Sequence, residues 1–276
     1  MPDAATAAAT AFEALADPVR VRILHALTRR VEANQVTAMG FSELRRAADV
    51  DDPGRFNYHL DRLQDRFVAA HDDGYIPTYA GLQAVGTVAA GTVTDTPPDR
   101  DGELDHRCPT CDRSLTAAYT HDMVTISCPD HDIVLQTAVP PTAADASLPT
   151  LVAFANDDIQ RDLHRLARGY CPLCSGTVAV TDVATTAEGP VRITVDCQNC
   201  FLTVRTIVTA LLVRHPAVIS HYHRDGIDVR DRLPSDLPLV GDPDATTLQA
   251  ESPIDVRVTV GEETIRVPAD LGIDPA

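Results

Sequence analysis

Two sets of closely paired cysteines constrain this 276-residue chain more tightly than any run of its apolar residues. Cys108-Pro-Thr-Cys111 is followed, after 16 residues, by Cys128-Pro-Asp-His131. Cys171-Pro-Leu-Cys174 is followed, after 22, by Cys197-Gln-Asn-Cys200. Two donors separated by two residues sit on one turn and point at one ion, so each set offers four soft or borderline ligands. A disulfide inside one pair would suit only a redox motif, and such a motif does not explain why each pair recurs with a second one beyond it. The all-cysteine set and the Cys3His set, with Cys108, Cys111, Cys128 and His131, therefore predict two metal sites. Strand-like segments leading into the second pairs, Thr125-Ile126-Ser127 and Arg192-Ile193-Thr194-Val195, favour zinc-ribbon-like modules with zinc over iron–sulfur clusters. His131 is the less firmly placed ligand, with His106 and His121 as nearby substitutes. Four protein ligands leave no open position for water, which makes the two zinc ions structural.

The rest of the composition bounds the class. Hydrophobic residues make up 44% of the chain and aromatic residues 4%, with no tryptophan, so the cores must rest on Leu, Val, Ile and Ala. No run approaches the length of a spanning helix and the first residues do not resemble an export signal, which predicts a cytoplasmic protein with no membrane partner. The net charge is -17, and all 23 basic residues are arginine. Such a field opposes binding to phosphates at low salt. The lysine-free, acidic composition resembles that of cytosolic proteins from salt-loving archaea, and at about 1 M salt the Debye length is only about 3 Å. Residues 1–95 hold nine arginines and 13 acidic residues, so they carry -4 of the total.

Those first residues have an order of their own. Asp17-Pro18 caps a helix whose Val19, Ile23, Leu24 and Leu27 form one stripe. Phe41-Ser42-Glu43-Leu44 opens a second helix, and Phe56, Leu60, Leu63 and Phe67 predict a third, with Arg55, Asn57, Tyr58, Asp61 and Arg62 nearer its other side. Asp72-Asp73-Gly74 then turns a hairpin ending near Pro77. Helix, helix, turn, helix, hairpin is the layout of a winged helix-turn-helix, in which the third helix enters the major groove. Residues 82–93 predict a weak fourth helix suited to dimerisation, and 95–102 a linker.

ALADPVRVRILHAL at 14–27, FSELRRAADV at 41–50 and NYHLDRL at 57–63 resemble the ArsR-type winged helix of prokaryotic transcriptional regulators, over roughly residues 8–82. The resemblance implies that Asn57, Tyr58 and His59 face DNA. Arg45, Arg46, Arg55 and Arg62 are the candidate phosphate or groove contacts, because guanidinium groups bind phosphate and guanine with paired donors. Asp72 and Asp73 would repel phosphate at the hairpin tip. The remaining two thirds, with HPAVISHYHRDGIDV at 215–229 and both cysteine sets, resembles an uncharacterised domain joined to such winged helices in haloarchaeal regulators. His215, His221 and His223 read as exposed groups rather than a sensing site.

The predicted fold class is α+β: an amino-terminal winged helix-turn-helix followed by a zinc-ribbon-containing α+β region. The predicted domains are 8–95, a first module at 104–137, a helix with a second module at 150–206, and an α+β segment at 207–274. The function expected is a non-enzymatic, sequence-specific regulator that binds double-stranded DNA as a homodimer, its zinc-stabilised region serving dimerisation or signal input. A non-catalytic interaction protein and, behind it, a metalloenzyme are the alternatives.

Overall fold

The computed structural model describes residues 3–32, 35–108, 111–130, 133–186, 189–251 and 254–273. It is a mixed α+β chain with two compact units, Met1–Thr96 and Pro97–Ala276.

The first unit is mainly helical. Helix α1 (Ala4–Leu15) precedes α2 (Pro18–Thr28), where Asp17 accepts a 2.8 Å bond from the Val19 N–H and Pro18 opens the helix. Two-residue strands β1 (Val31–Glu32) and β2 (Gln35–Val36) pair before α3 (Phe41–Ala47) and α4 (Pro53–Leu63). Ile23, Leu24 and Leu27 of α2, Leu44 of α3, and Phe56, Leu60 and Leu63 of α4 are fully buried together, which gives the predicted stripes a common core. The third predicted helix stops four residues early, at Leu63. Gln64 takes extended angles and Asp65 a left-handed φ of 69°. Phe67 still reaches the core, its N–H bonded to the Leu63 carbonyl at 2.9 Å.

Strands β3 (Val68–His71) and β4 (Gly74–Pro77) form the hairpin. Met39 pairs with Tyr75 through two 3.0 Å backbone bonds, so the segment before α3 adds a third short rung. Only glycine fits at position 74: its φ is 137°, and a Cβ would lie 2.3 Å from the Met39 carbonyl oxygen. Helix α5 (Tyr79–Ala89) starts earlier than the predicted residue 82, because the Thr78 hydroxyl caps it. The helices and hairpin resemble a winged-helix motif.

Among its described residues the second unit holds three antiparallel sheets. The first has the order β5 (Arg100–Arg107), β6 (Ser114–Thr120), β7 (Met123–Ser127), β8 (Ile133–Ala138), and β5 begins inside the segment expected to be linker. The second contains β9 (Val178–Thr186), β10 (Gly189–Cys197) and β11 (Thr203–Ile207), in the order β11-β10-β9. The third has the order β12 (Thr246–Glu251), β13 (Ile254–Val260), β14 (Glu263–Pro268).

Helix α6 (Leu148–Ala167) runs for 20 residues. Ser147 accepts a bond from the Thr150 N–H and so sets the start. Leu151, Val152 and Ala155 pack with Leu115, Tyr119 and Ile126 of the first sheet. Ile159, Leu163 and Leu166 join a core that continues through the other two sheets and α7 (Pro216–Arg224), with no break at residue 207. Buried Gln160 donates to the Val229 and Arg232 carbonyls at 3.0 and 2.9 Å, satisfying its amide inside this core.

The two cysteine-bearing halves repeat one plan. A cysteine turn leads into a hairpin, β6–β7 or β9–β10, then a second cysteine turn leads into an edge strand, β8 or β11. Among the described residues no helix is long and apolar enough to cross a membrane.

Candidate metal centres and nucleic-acid interface

The cysteine turns share a backbone. The Cys108 N–H bonds the Arg113 carbonyl and the Cys171 N–H bonds the Gly176 carbonyl, both at 2.8 Å. The Asp112 and Ser175 N–H groups return to the carbonyls of Cys108 and Cys171 at 2.9 and 3.0 Å. Asp112 and Ser175 take left-handed φ values of 58° and 60°. This geometry swings the two thiols of a pair to one side.

In the second half the four sulfurs of Cys171, Cys174, Cys197 and Cys200 lie within 4.8 Å of one another. Cys171 and Cys200 are separated by 3.7 Å, Cys174 and Cys197 by 3.5 Å, and all the cysteines are free of disulfides. A tetrahedral ion with metal–sulfur bonds of about 2.3 Å holds its sulfurs about 3.8 Å apart, whereas a disulfide needs about 2.05 Å. The donor set fits a metal ion. Backbone N–H groups are already turned to the sulfurs: Gly176 to Cys174 at 3.4 Å, and Asn199 and Cys200 to Cys197 at 3.3 Å each.

Those donors and the crowding of sulfurs pull the thiols apart in acidity. The Gly176 N–H leads in drawing Cys174 down to about 6. The Leu202 N–H acts the same way on Cys200, yet burial and the neighbouring sulfurs push that thiol up to about 12. Four thiolates this close need a cation to share.

In the first half Cys108, Cys111 and Cys128 converge, with Cys111 and Cys128 at 3.6 Å. The Arg113 N–H pulls Cys111 down, but burial and the other two sulfurs prevail and raise it to about 11. His131 lies outside the described residues, although by spacing it occupies the place of Cys200. Neither substitute histidine is at the centre. His121 is in the turn at the far end of the β6–β7 hairpin, and His106 is bonded to Asp236 at 2.9 Å. His215 accepts a bond from the Ala217 N–H as the cap of α7, His221 stacks edge-on with Tyr222, and only His223 is exposed. The three do not form a site.

Three neighbours of the centres were not legible as functional. A Cβ at Gly176 would lie 2.8 Å from Asn199 Cβ and 3.3 Å from the Cys174 sulfur. Asn199 donates to Cys174 at 3.7 Å, and Arg165 of α6 bonds the Ser175 hydroxyl at 2.6 Å. A glycine two positions after Cys174 was the available signal. Arg161, on the same helix as Arg165, pairs with Asp158 and Asp162.

On α4 the expected contact residues separate into two groups. Arg55, Asn57, Tyr58 and Arg62 are exposed, with the Arg62 guanidinium 5.6 Å from the Tyr58 ring centre. Asn57 donates its amide to Asp61 at 2.9 Å. His59 is the correction: it is buried among the helices, with Nδ1 3.6 Å from the Asp17 carboxylate, because position 59 falls on the stripe of Phe56 and Leu63. Arg45 also departs from its expected role. It donates to the Val50 and Asp51 carbonyls at 2.7 and 2.6 Å and so braces the turn between α3 and α4. Arg46 is exposed at the end of α3, bonded to the Ser42 carbonyl.

Residues 8–88 match the domain of unknown function DUF7347, and residues 105–273 match the domain of unknown function DUF7351. No curated protein and no solved structure matches the chain. The second match spans more than half of the sequence and both cysteine centres, so the chain belongs to the DUF7351 family.

Proposed function

We propose that this protein is a sequence-specific DNA-binding transcriptional regulator with a winged helix-turn-helix of ArsR type and a carboxyl-terminal region built on two structural zinc ribbons. The observation that carries the reading is the division of α4: Phe56, His59, Leu60 and Leu63 point into the core, while Arg55, Asn57, Tyr58 and Arg62 form an exposed polar face. A helix so divided, preceded by α3 and followed by a hairpin, suits insertion into a major groove. Arg55 and Arg62 supply phosphate or guanine contacts, Arg46 a flanking phosphate contact, and Asn57 and Tyr58 read base edges.

Zinc suits the four-thiolate centre and its Cys3His companion, and each ion would hold two turns together without an open position for chemistry. The reading is therefore non-catalytic. Phe12 on α1 and Tyr79 on α5 are 73% and 76% exposed, which supports a homodimer closed by these helices. The acidic, lysine-free composition supports work in the cytoplasm of a halophilic archaeon, where salt screens the rest of the chain.

One observation favours a second reading, a protein-interaction module. Asp61 takes up the Asn57 amide, and Asp72 and Asp73 are exposed at the hairpin turn, so part of this surface is acidic. Genome-wide DNA capture at high salt separates the two. The regulator reading expects discrete enriched sites that Arg55→Ala/Arg62→Ala reduces at least tenfold. Absence of such sites, or indifference to the substitutions, favours the interaction module.

A further inference from the structure

A groove of about 1040 Å³ runs between the two cysteine halves of the second unit. Leu166, Leu163 and Ile159 of α6 contribute its apolar wall, together with Leu135, Leu202 and Ile207. Four consecutive residues of β8 (135–138) and four of β11 (204–207) line it. Side chains alternate faces along a strand, so such runs mean that the free edges of the two sheets border the groove. Pro129 and Leu173, from a cysteine turn in each half, also line it.

Its charges are unequally satisfied. Asp130 pairs with Arg113 at 2.9 Å, and Asp158 and Asp162 pair with Arg161. The other two lining arginines, Arg192 and Arg205, form no ion pair among the described residues. The register Arg192↔Ile207 and Thr194↔Arg205 puts them on one face of the sheet, one diagonal step apart. Cα atoms so related lie about 7–8 Å from each other, within reach of a shared anion for two long side chains. Both side chains are exposed, and in a chain of charge -17 neither is committed to a carboxylate among the described residues. A further polar group lacks a partner: Ser235 lines the groove, is 6% exposed, and its buried hydroxyl has no hydrogen bond. A buried hydroxyl left unmatched is costly, and a ligand oxygen would relieve it.

We propose that this groove is a binding site for a small amphipathic carboxylate, its apolar body lying on α6 and its carboxylate held by Arg192 and Arg205, with Ser235 donating a further hydrogen bond. The volume suits a ligand of drug-like size, and an apolar wall with a few convergent polar groups is the usual form of such sites. Paired guanidinium donors select carboxylate over a neutral or cationic head of the same body. The site depends on the carboxyl-terminal unit alone, so it stands or falls independently of DNA binding.

Calorimetric titration of the full-length, zinc-loaded protein with decanoate, decanol and decyltrimethylammonium, all below their aggregation limits, tests the site. The expected result is saturable one-to-one binding of decanoate, at least tenfold tighter than either probe with the same chain. Arg192→Ala/Arg205→Ala should weaken decanoate at least tenfold, and Ser235→Ala several-fold. Arg266→Ala, which removes an arginine already paired with Asp255, should change nothing. Zinc content equal to the parent's verifies that each variant is folded, and Ser235→Ala carries the test if the double variant is not. Absence of saturable binding, equal affinity for the three heads, or indifference to the arginine and serine substitutions would overturn the proposal.

Discussion

The two cysteine-bearing halves follow the same backbone plan, yet differ in what surrounds the sulfurs. In the second, four thiols converge, Gly176 leaves room beside them, and Asn199 and Arg165 secure the turns. In the first, three cysteines converge, Arg113 stands where the second half has Gly176, and that arginine reaches an exposed carboxylate, Asp130. The comparison teaches that the turn geometry belongs to the spacing, whereas the demand on neighbouring residues belongs to the packing. The second centre borders the large core that also holds α7 and the terminal sheet: Cys171 is buried in it, and the other three cysteines lie half-buried against it. The first is supported by a smaller core of one sheet and half a helix.

That difference orders the expected effects of disruption. Cys171→Ser/Cys197→Ser should be the most damaging, because structural zinc binding contributes on the order of 10 kcal/mol to folding. Metal content should fall by at least one ion and the carboxyl-terminal unit should lose its cooperative thermal transition, while the helical signal of the first unit persists. A variant that still melts cooperatively with two ions would erase the distinction between the halves.

Replacing His131 with Ala should lower zinc from two ions to about one after dialysis against a mild chelator, with the second centre intact. Retention of two ions would show that the first half closes its coordination by another residue. Gly176→Ala should destabilise by about 1–3 kcal/mol, since the new methyl must displace Asn199 or the Cys174 sulfur. Arg113→Ala, the matching change in the first half, removes only an exposed ion pair and should cost less than about 1 kcal/mol in denaturant unfolding. Equal losses would mean that both turns are equally crowded.

The smallest effects concern the left-handed residues. Asp112→Gly should stabilise by a few tenths of a kcal/mol up to about 1 kcal/mol, by relieving a positive φ. Ser175→Gly removes the same constraint but also the hydroxyl held by Arg165, so the two changes should nearly cancel in melting temperature.

Much of the chain was legible where short-range rules act alone. Asp17-Pro18 starts α2 because a carboxylate satisfies an orphan N–H and proline has none to lose. The cysteine spacings drew all seven cysteines into two clusters because two residues suffice for one turn. Where packing intervenes, the pattern misled. The helix assigned to the second module at 150–206 serves both halves, since Leu151, Val152 and Ala155 of α6 pack on the first sheet. His59 lies two residues beyond Asn57 and shares its polarity, yet helical rotation carries it into the core. Arg45 sits among arginines of similar appearance, and only the path of the α3–α4 turn presents it with two carbonyls.

The sequence alone determined the cysteines of two candidate metal centres, the helical stripes of the first unit and the excess of acid over base, because each depends on residue identity and local period. Tertiary structure decided which polar groups remain available. Arg192, Arg205 and Ser235 are scattered over 44 positions, and no periodicity connects them. They line one groove because one helix buries its opposite halves in two cores and leaves the edges of two sheets beside it. Local rules act over a turn or a strand; the satisfaction of a charge or a hydroxyl depends on whatever the fold brings beside it.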